Sequence, residues 1–125
     1  MNISRSFIGI GILYLLIGIG FGMYMGGKGD FTFAPLHAHI NLVGFVLMSI
    51  FGLIYRQFPA MAAHALGKAH FWLHQIGALL LVIMLYLMFS GTITEAGMAP
   101  VAPIAELAVW VGIACFGINF MRNGV

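Results

Sequence analysis

Charge is what this sequence has least of. Its 125 residues include five Lys+Arg and three Asp+Glu, so charged residues make up 6% of the chain, against about 25% in soluble domains. So few charges cannot cover a water-soluble globule, and they cannot build the basic face of a nucleic-acid binder. The isoelectric point near 9.0 rests on a net charge of only +2 and implies no polyanionic partner. Cysteine is nearly absent as well: Cys115 stands alone, which excludes an internal disulfide and any Cys-x-x-Cys metal or redox motif. The chain is filled with apolar residues, which reach 62%, including eleven Phe and nine Met, beside seventeen Gly. That is the composition of helices packed in lipid, and it predicts an integral membrane protein with a single domain, residues 1–125.

A bilayer span needs about 20 mostly apolar residues. Ser6 to Gly27 is uncharged, Phe31 to Tyr55 carries only His37 and His39, and Ala69 to Thr94 carries only His70 and His74. Leu107 to Met121 is shorter; starting it at Pro103, a natural first-turn residue, carries it to Arg122 and puts Glu106 in the first turn, where the helix dipole tolerates an acid. The predicted fold is all-α: four transmembrane helices over approximately 5–26, 34–57, 67–92 and 102–122, in an up-and-down bundle with short loops. The first apolar run is too long for a secretory signal, and no A-x-A-type site follows it. Within it Gly18, Gly22 and Gly26 form a ladder suited to close helix packing. Arg5, Arg56, Lys68 and Arg122 fall on one side of such a bundle, and Lys28 with Asp30, Glu95 and Glu106 on the other. That asymmetry predicts cytoplasmic termini and an inner, cytoplasmic membrane of a prokaryote.

Ionisable side chains inside membrane helices mark functional sites by default, and here they are histidines. His37 and His39 lie one turn into the second helix, just after Pro35. Two residues turn through about 200° on a helix, so these imidazoles point to opposite sides and cannot chelate one ion together. Asn41, Gly44 and Met48 continue the His37 face, and Gly44 leaves a flat gap where a large planar ligand fits. The bland alternative is a pair of interfacial histidines bonded to water and headgroups. His70 and His74 share a face and are a candidate second metal pair, with His64 as a third ligand. Lys68, His70, Trp72 and His74 also read as an anchor at headgroup level.

Depth separates the two groups. His39 lies roughly 6 Å below the outer face and His74 roughly 9 Å above the inner one, at 1.5 Å per residue. In a core about 30 Å thick they are some 15 Å apart, whereas metal–imidazole bonds are about 2 Å long. A site at the His37/His39 level therefore needs another ligand at that level: Met23, Met25, Met88 or Met98 weakly, or more simply the same helix of a second copy.

The run LHAHINLVGFVLMSIFGLIYRQFP, Leu36 to Pro59, resembles the second helix of heme-copper oxidase catalytic subunits. It is closest to the nitric oxide reductase and cbb3-like branch, in which a His-x-Asn-Leu start leads to a Gly-x-x-Tyr end. AHFWLHQIG, Ala69 to Gly77, resembles small oxidase-like membrane proteins. His39 with Asn41 matches the position of a low-spin heme ligand, and His37-x-His39 matches an HxH pair that ligates two hemes on opposite faces. The family's subunit I has twelve helices in three arcs of four, and this chain is the size of one arc. The resemblance therefore implies a homotrimer, with His37 of one copy and His39 of the next binding one heme b; a homodimer is the nearest competitor. Glu106, at a depth similar to His37, reads either as a hydrogen-bond partner that strengthens an imidazole ligand or as an ordinary helix-start acid. Further histidines for a copper site, a suitably placed Tyr and most of the family's acids are lacking, so copper is possible but not favoured.

Three functions follow as expectations. The first is a small membrane cytochrome with bis-histidine heme b, passing electrons to an unknown redox partner or quinol. The second is an oxidoreductase that reduces O2 or NO at a heme with an open position. The third is a heme or metal transport or handling protein using His70 and His74.

Overall fold

Asn2 starts the first helix: its side-chain oxygen accepts the Arg5 backbone N–H at 3.0 Å, which satisfies one of the donors that a helix start leaves free. In the computed structural model, which describes residues 1–125, α1 runs Ile3–Lys28 and stops at Gly29, whose φ of 66° is left-handed and suits a residue without Cβ. In the turn that follows, the Asp30 carboxylate accepts the Thr32 hydroxyl at 2.6 Å and the Thr32 N–H at 3.0 Å. The hydroxyl first and the N–H second hold Asp30 below the usual carboxylate range.

Pro35 occupies the first turn of α2, Ala34–Gln57. Between Ile40 and Val46 this helix widens into π geometry, which takes carbonyls off the regular ladder. A short α3, Pro59–Ala63, leads to α4, Ala65–Phe89. After a 3-10 turn at Ala96–Met98, α5 spans Val101–Asn123. The long helices α1, α2, α4 and α5 are long and apolar enough to cross a membrane, with mean hydropathy between 1.8 and 2.1, as in an integral membrane protein. Their limits fall within three residues of the sequence expectation. α4 ends early because the chain turns at Ser90 and left-handed Gly91. α5 starts early, at Val101, which corrects the placement of Glu106: it is in the second turn, not the first. Pro103 still falls where a missing N–H costs nothing.

Glycines set the helix register. Gly22 of α1 lies against His37, Gly18 against Asn41, Gly11 against Met48 and Ile8 against Gly52. The partners run in opposite directions, so α1 and α2 form an antiparallel hairpin. Likewise Gly77 lies against Ala105 and Val109, and Gly112 against Leu73 and His74, which makes α4 and α5 a second hairpin. Lipid supplies no hydrophobic force between helices, so close approach at small residues does that work. Phe7 stacks on Tyr55 within the first hairpin, with centroids 5.8 Å apart, and the two hairpins meet through rings: Phe7 meets Phe71 edge-on at 5.0 Å, and Phe51 packs on Phe116 at 4.8 Å. Tyr55–His70 and Met48–Gln75 contacts make α2 and α4 antiparallel too, so directions alternate and both termini lie at one end.

Candidate functional site

His37 and His39 are half-buried near the start of α2. The His37 Nδ1–H donates to the Gly18 carbonyl of α1 at 2.7 Å, and the His39 Nδ1–H donates to the Pro35 carbonyl at 2.8 Å. A carbonyl only accepts, so Nδ1 carries a proton in both rings, and in the neutral imidazole the lone pair is then on Nε2. Metal-binding imidazoles are oriented by such a second hydrogen bond. Asn41 places its amide nitrogen 3.3 Å from His37 Nε2, while its Oδ1 is buried without a partner.

The glycine ladder of α1 makes this seat possible. A Cβ on Gly22 would come within 3.2 Å of His37 Cε1, and one on Gly18 would collide with Asn41 Oδ1; around Gly26 the space is open. Two expectations need correction here. The gap beside Gly44 is filled, because the Tyr14 ring of α1 lies directly against it, so Gly44 admits a neighbouring helix rather than a planar ligand. Glu106 is exposed on α5, which packs against α4, and it is hydrogen-bonded to neither His37 nor His39.

The second histidine pair is not at the headgroups. His70 and His74 are both 0% exposed, whereas Trp72 is 55% exposed, so Trp72 and Lys68 form the outer face of α4 and the histidines its inner one. Phe51 meets His70 edge-on at 4.5 Å and Phe7 packs on it at 5.1 Å. His74 Nε2–H donates to the Val43 carbonyl inside the π stretch at 3.0 Å. Val43 is four residues from His39, about 6 Å along a helix, so the vertical separation is well short of the expected 15 Å; counting residues ignored the reach of the ring. The Tyr55 hydroxyl and His70 Nδ1 are hydrogen-bonded to each other at 2.9 Å. His70 Nε2 and His74 Nδ1 are buried without partners, in rings whose centroids lie 5.8 Å apart. His64 does not join them: it caps α4, its Nδ1 accepting the Leu66 N–H at 3.1 Å. No three metal-ligand side chains cluster anywhere in the chain.

Comparison with models of protein families, with curated proteins and with solved structures finds no match. The chemistry must therefore be read from the side chains themselves, and two of these escaped the sequence reading. Tyr55 was visible only as the end of a Gly-x-x-Tyr string. Asn119, 0% exposed, donates to the Met61 carbonyl at 2.9 Å and ties α5 to α3; an Asn inside an apolar run was its signal. Because Tyr55→Phe leaves a buried imidazole nitrogen unpaired, it should destabilise the protein by roughly 1–2 kcal/mol. Reversible unfolding in mixed micelles measures this, and an unchanged midpoint would contradict the Tyr55–His70 bond.

Proposed function

We propose that this protein is a small membrane cytochrome that binds heme b through His37 and His39 at interfaces between copies of the chain and transfers electrons. One observation carries the reading: both imidazoles spend their Nδ1 protons on backbone carbonyls at one end of the bundle, which aims Nε2 of His39 away from the chain and leaves Nε2 of His37 with only the Asn41 amide beside it. Held by these two imidazoles, an iron porphyrin would supply one-electron redox chemistry. The chain's own groups do the rest. The Gly18 and Pro35 carbonyls fix the two rings and raise their basicity as ligands. Gly22 leaves room for the His37 ring, and the apolar flanks of α1 and α2 keep water away. The resemblance of Leu36 to Pro59 to the oxidase helix supports the same assignment, and with it a four-helix arc that assembles as a trimer.

Two imidazole ligands leave no open position, which favours electron transfer over gas reduction. One observation favours the second reading, an oxidoreductase with an open site: Asn41 engages His37 Nε2, which would leave only His39 to hold the iron. The visible spectrum separates the two. Protein purified from a heme-competent host should be red, with sharp reduced b-type bands that CO leaves unchanged. Bands shifted by CO would favour the open site, and a colourless preparation would end both readings. His39→Ala should lose nearly all heme, whereas His74→Ala should keep it. Light scattering in detergent should give a heme-loaded trimer.

A further inference from the structure

We propose that a groove at the end of the bundle holding both termini binds one anionic phospholipid, with its phosphate between Arg5 and Arg56 and an acyl chain along Ile8, Gly9 and Ile12. The groove encloses about 1020 Å³ and is lined by those residues together with others of α1, α2 and α3. That is the upper end of the range for ligand sites, about 300–1,000 Å³.

Arg5 comes from the first turn of α1 and Arg56 from the last turn of α2, so two helices bring their guanidiniums to one groove. A guanidinium stays charged; no side-chain carboxylate of the chain lies at this end, and the C-terminal segment is not among the residues that line the groove. The three acids, Asp30, Glu95 and Glu106, belong to the Lys28–Ala34 turn, the loop before α5 and the second turn of α5, all toward the opposite end. A second copy in the same orientation does not help, because it would bring Arg5, Arg56, Lys68 and Arg122 to this level again. The counter-anion must come from the surroundings, and phosphate suits paired arginines.

The wall below the arginines says what the phosphate is attached to. Ile8 and Ile12 present apolar surface, Ile12 openly, and nothing lies within 4 Å of the place a Gly9 Cβ would occupy. That strip receives a hydrocarbon chain, which a free anion does not have. Basic recesses between membrane helices bind acidic headgroups in this way.

The test is lipid retention, counted by native mass spectrometry on the full-length protein equilibrated with phosphatidylglycerol or phosphatidylcholine micelles. Phosphatidylglycerol should be retained roughly tenfold over phosphatidylcholine, as two interfacial arginines allow. Arg5→Gln with Arg56→Gln should abolish the preference. Lys68→Gln with Arg122→Gln, which removes the same charge outside the groove, should preserve it. Gly9→Leu keeps both guanidiniums but closes the apolar strip, and should lower retention even if the arginine variant fails to fold. Equal retention of the two lipids, an equal loss in both charge variants, or displacement of the lipid by millimolar inorganic phosphate would overturn the proposal.

Discussion

Alanine at position 77 should cost the protein roughly 2–3 kcal/mol, the size of an overpacked core, and should loosen α5 from α4. Its Cβ would stand 2.7 Å from the Ala105 carbonyl oxygen, 2.8 Å from Val109 Cγ2 and 3.1 Å from the Val109 nitrogen. Two of those three atoms are backbone, which cannot swing aside as a side-chain tip can. The helices must then separate, and Ala78 and Ala105, both almost fully buried, lose their packing. Gly20→Ala is the control: nothing lies within 4 Å of that position, and helix propensity favours alanine by up to about 1 kcal/mol. Denaturation in mixed micelles should show an early midpoint for the first variant and an equal or later one for the second. Equal midpoints for Gly77→Ala and the parent chain would mean that α4 and α5 do not meet at this glycine.

In the proposed cytochrome, Gly18→Ala should act on heme binding more than on the fold. The new Cβ would run into Asn41 Oδ1 and come within 3.2 Å of Ile40 Cγ2. Asn41 can swing away, so the helices hold, but it leans on His37, whose Nδ1 proton is bonded to the carbonyl of Gly18 itself. Disturbing such a supporting bond typically costs about 10-fold or more in metal affinity. The heme-to-protein ratio under limiting heme should fall accordingly while helical circular dichroism is unchanged. Gly26→Ala, one turn beyond Gly22 with open space around it, should bind heme like the parent. A Gly18→Ala protein with full heme would break the link between the ladder and His37.

The helices were legible because a bilayer asks only for length and apolarity, which composition reveals directly. What the helices say to one another was less legible. The ladder at Gly18, Gly22 and Gly26 announced a close contact, but nothing local named Asn41 and His37 as the groups seated there; that required the register of α1 against α2. The error over His70 and His74 was avoidable. The same 200° step that separates His37 from His39 also turns Lys68 and Trp72 away from His70 and His74, so a pair cannot be both anchor and neighbour. The filling of the Gly44 gap by Tyr14 was not available from α2 alone, because a cleft beside a glycine is open only until another helix is placed. The π stretch from Ile40 to Val46 has no proline to signal it, and its one glycine, Gly44, reads equally well as a helix contact; the widening becomes visible only in the hydrogen-bonding of the folded chain.

The sorting of charges between the two ends also limits how copies can stand together. Arg5, Arg56, Lys68 and Arg122 at one end, against Lys28 and three carboxylates at the other, make each molecule an electric dipole along the membrane normal. A transmembrane voltage exerts about 2.3 kcal/mol per elementary charge per 100 mV, so an energised bilayer holds every copy pointing the same way. Copies that share one direction can close only by rotation about an axis perpendicular to the membrane. In the proposed assembly of copies, every His37–His39 pair would then stand at one height, as a ring.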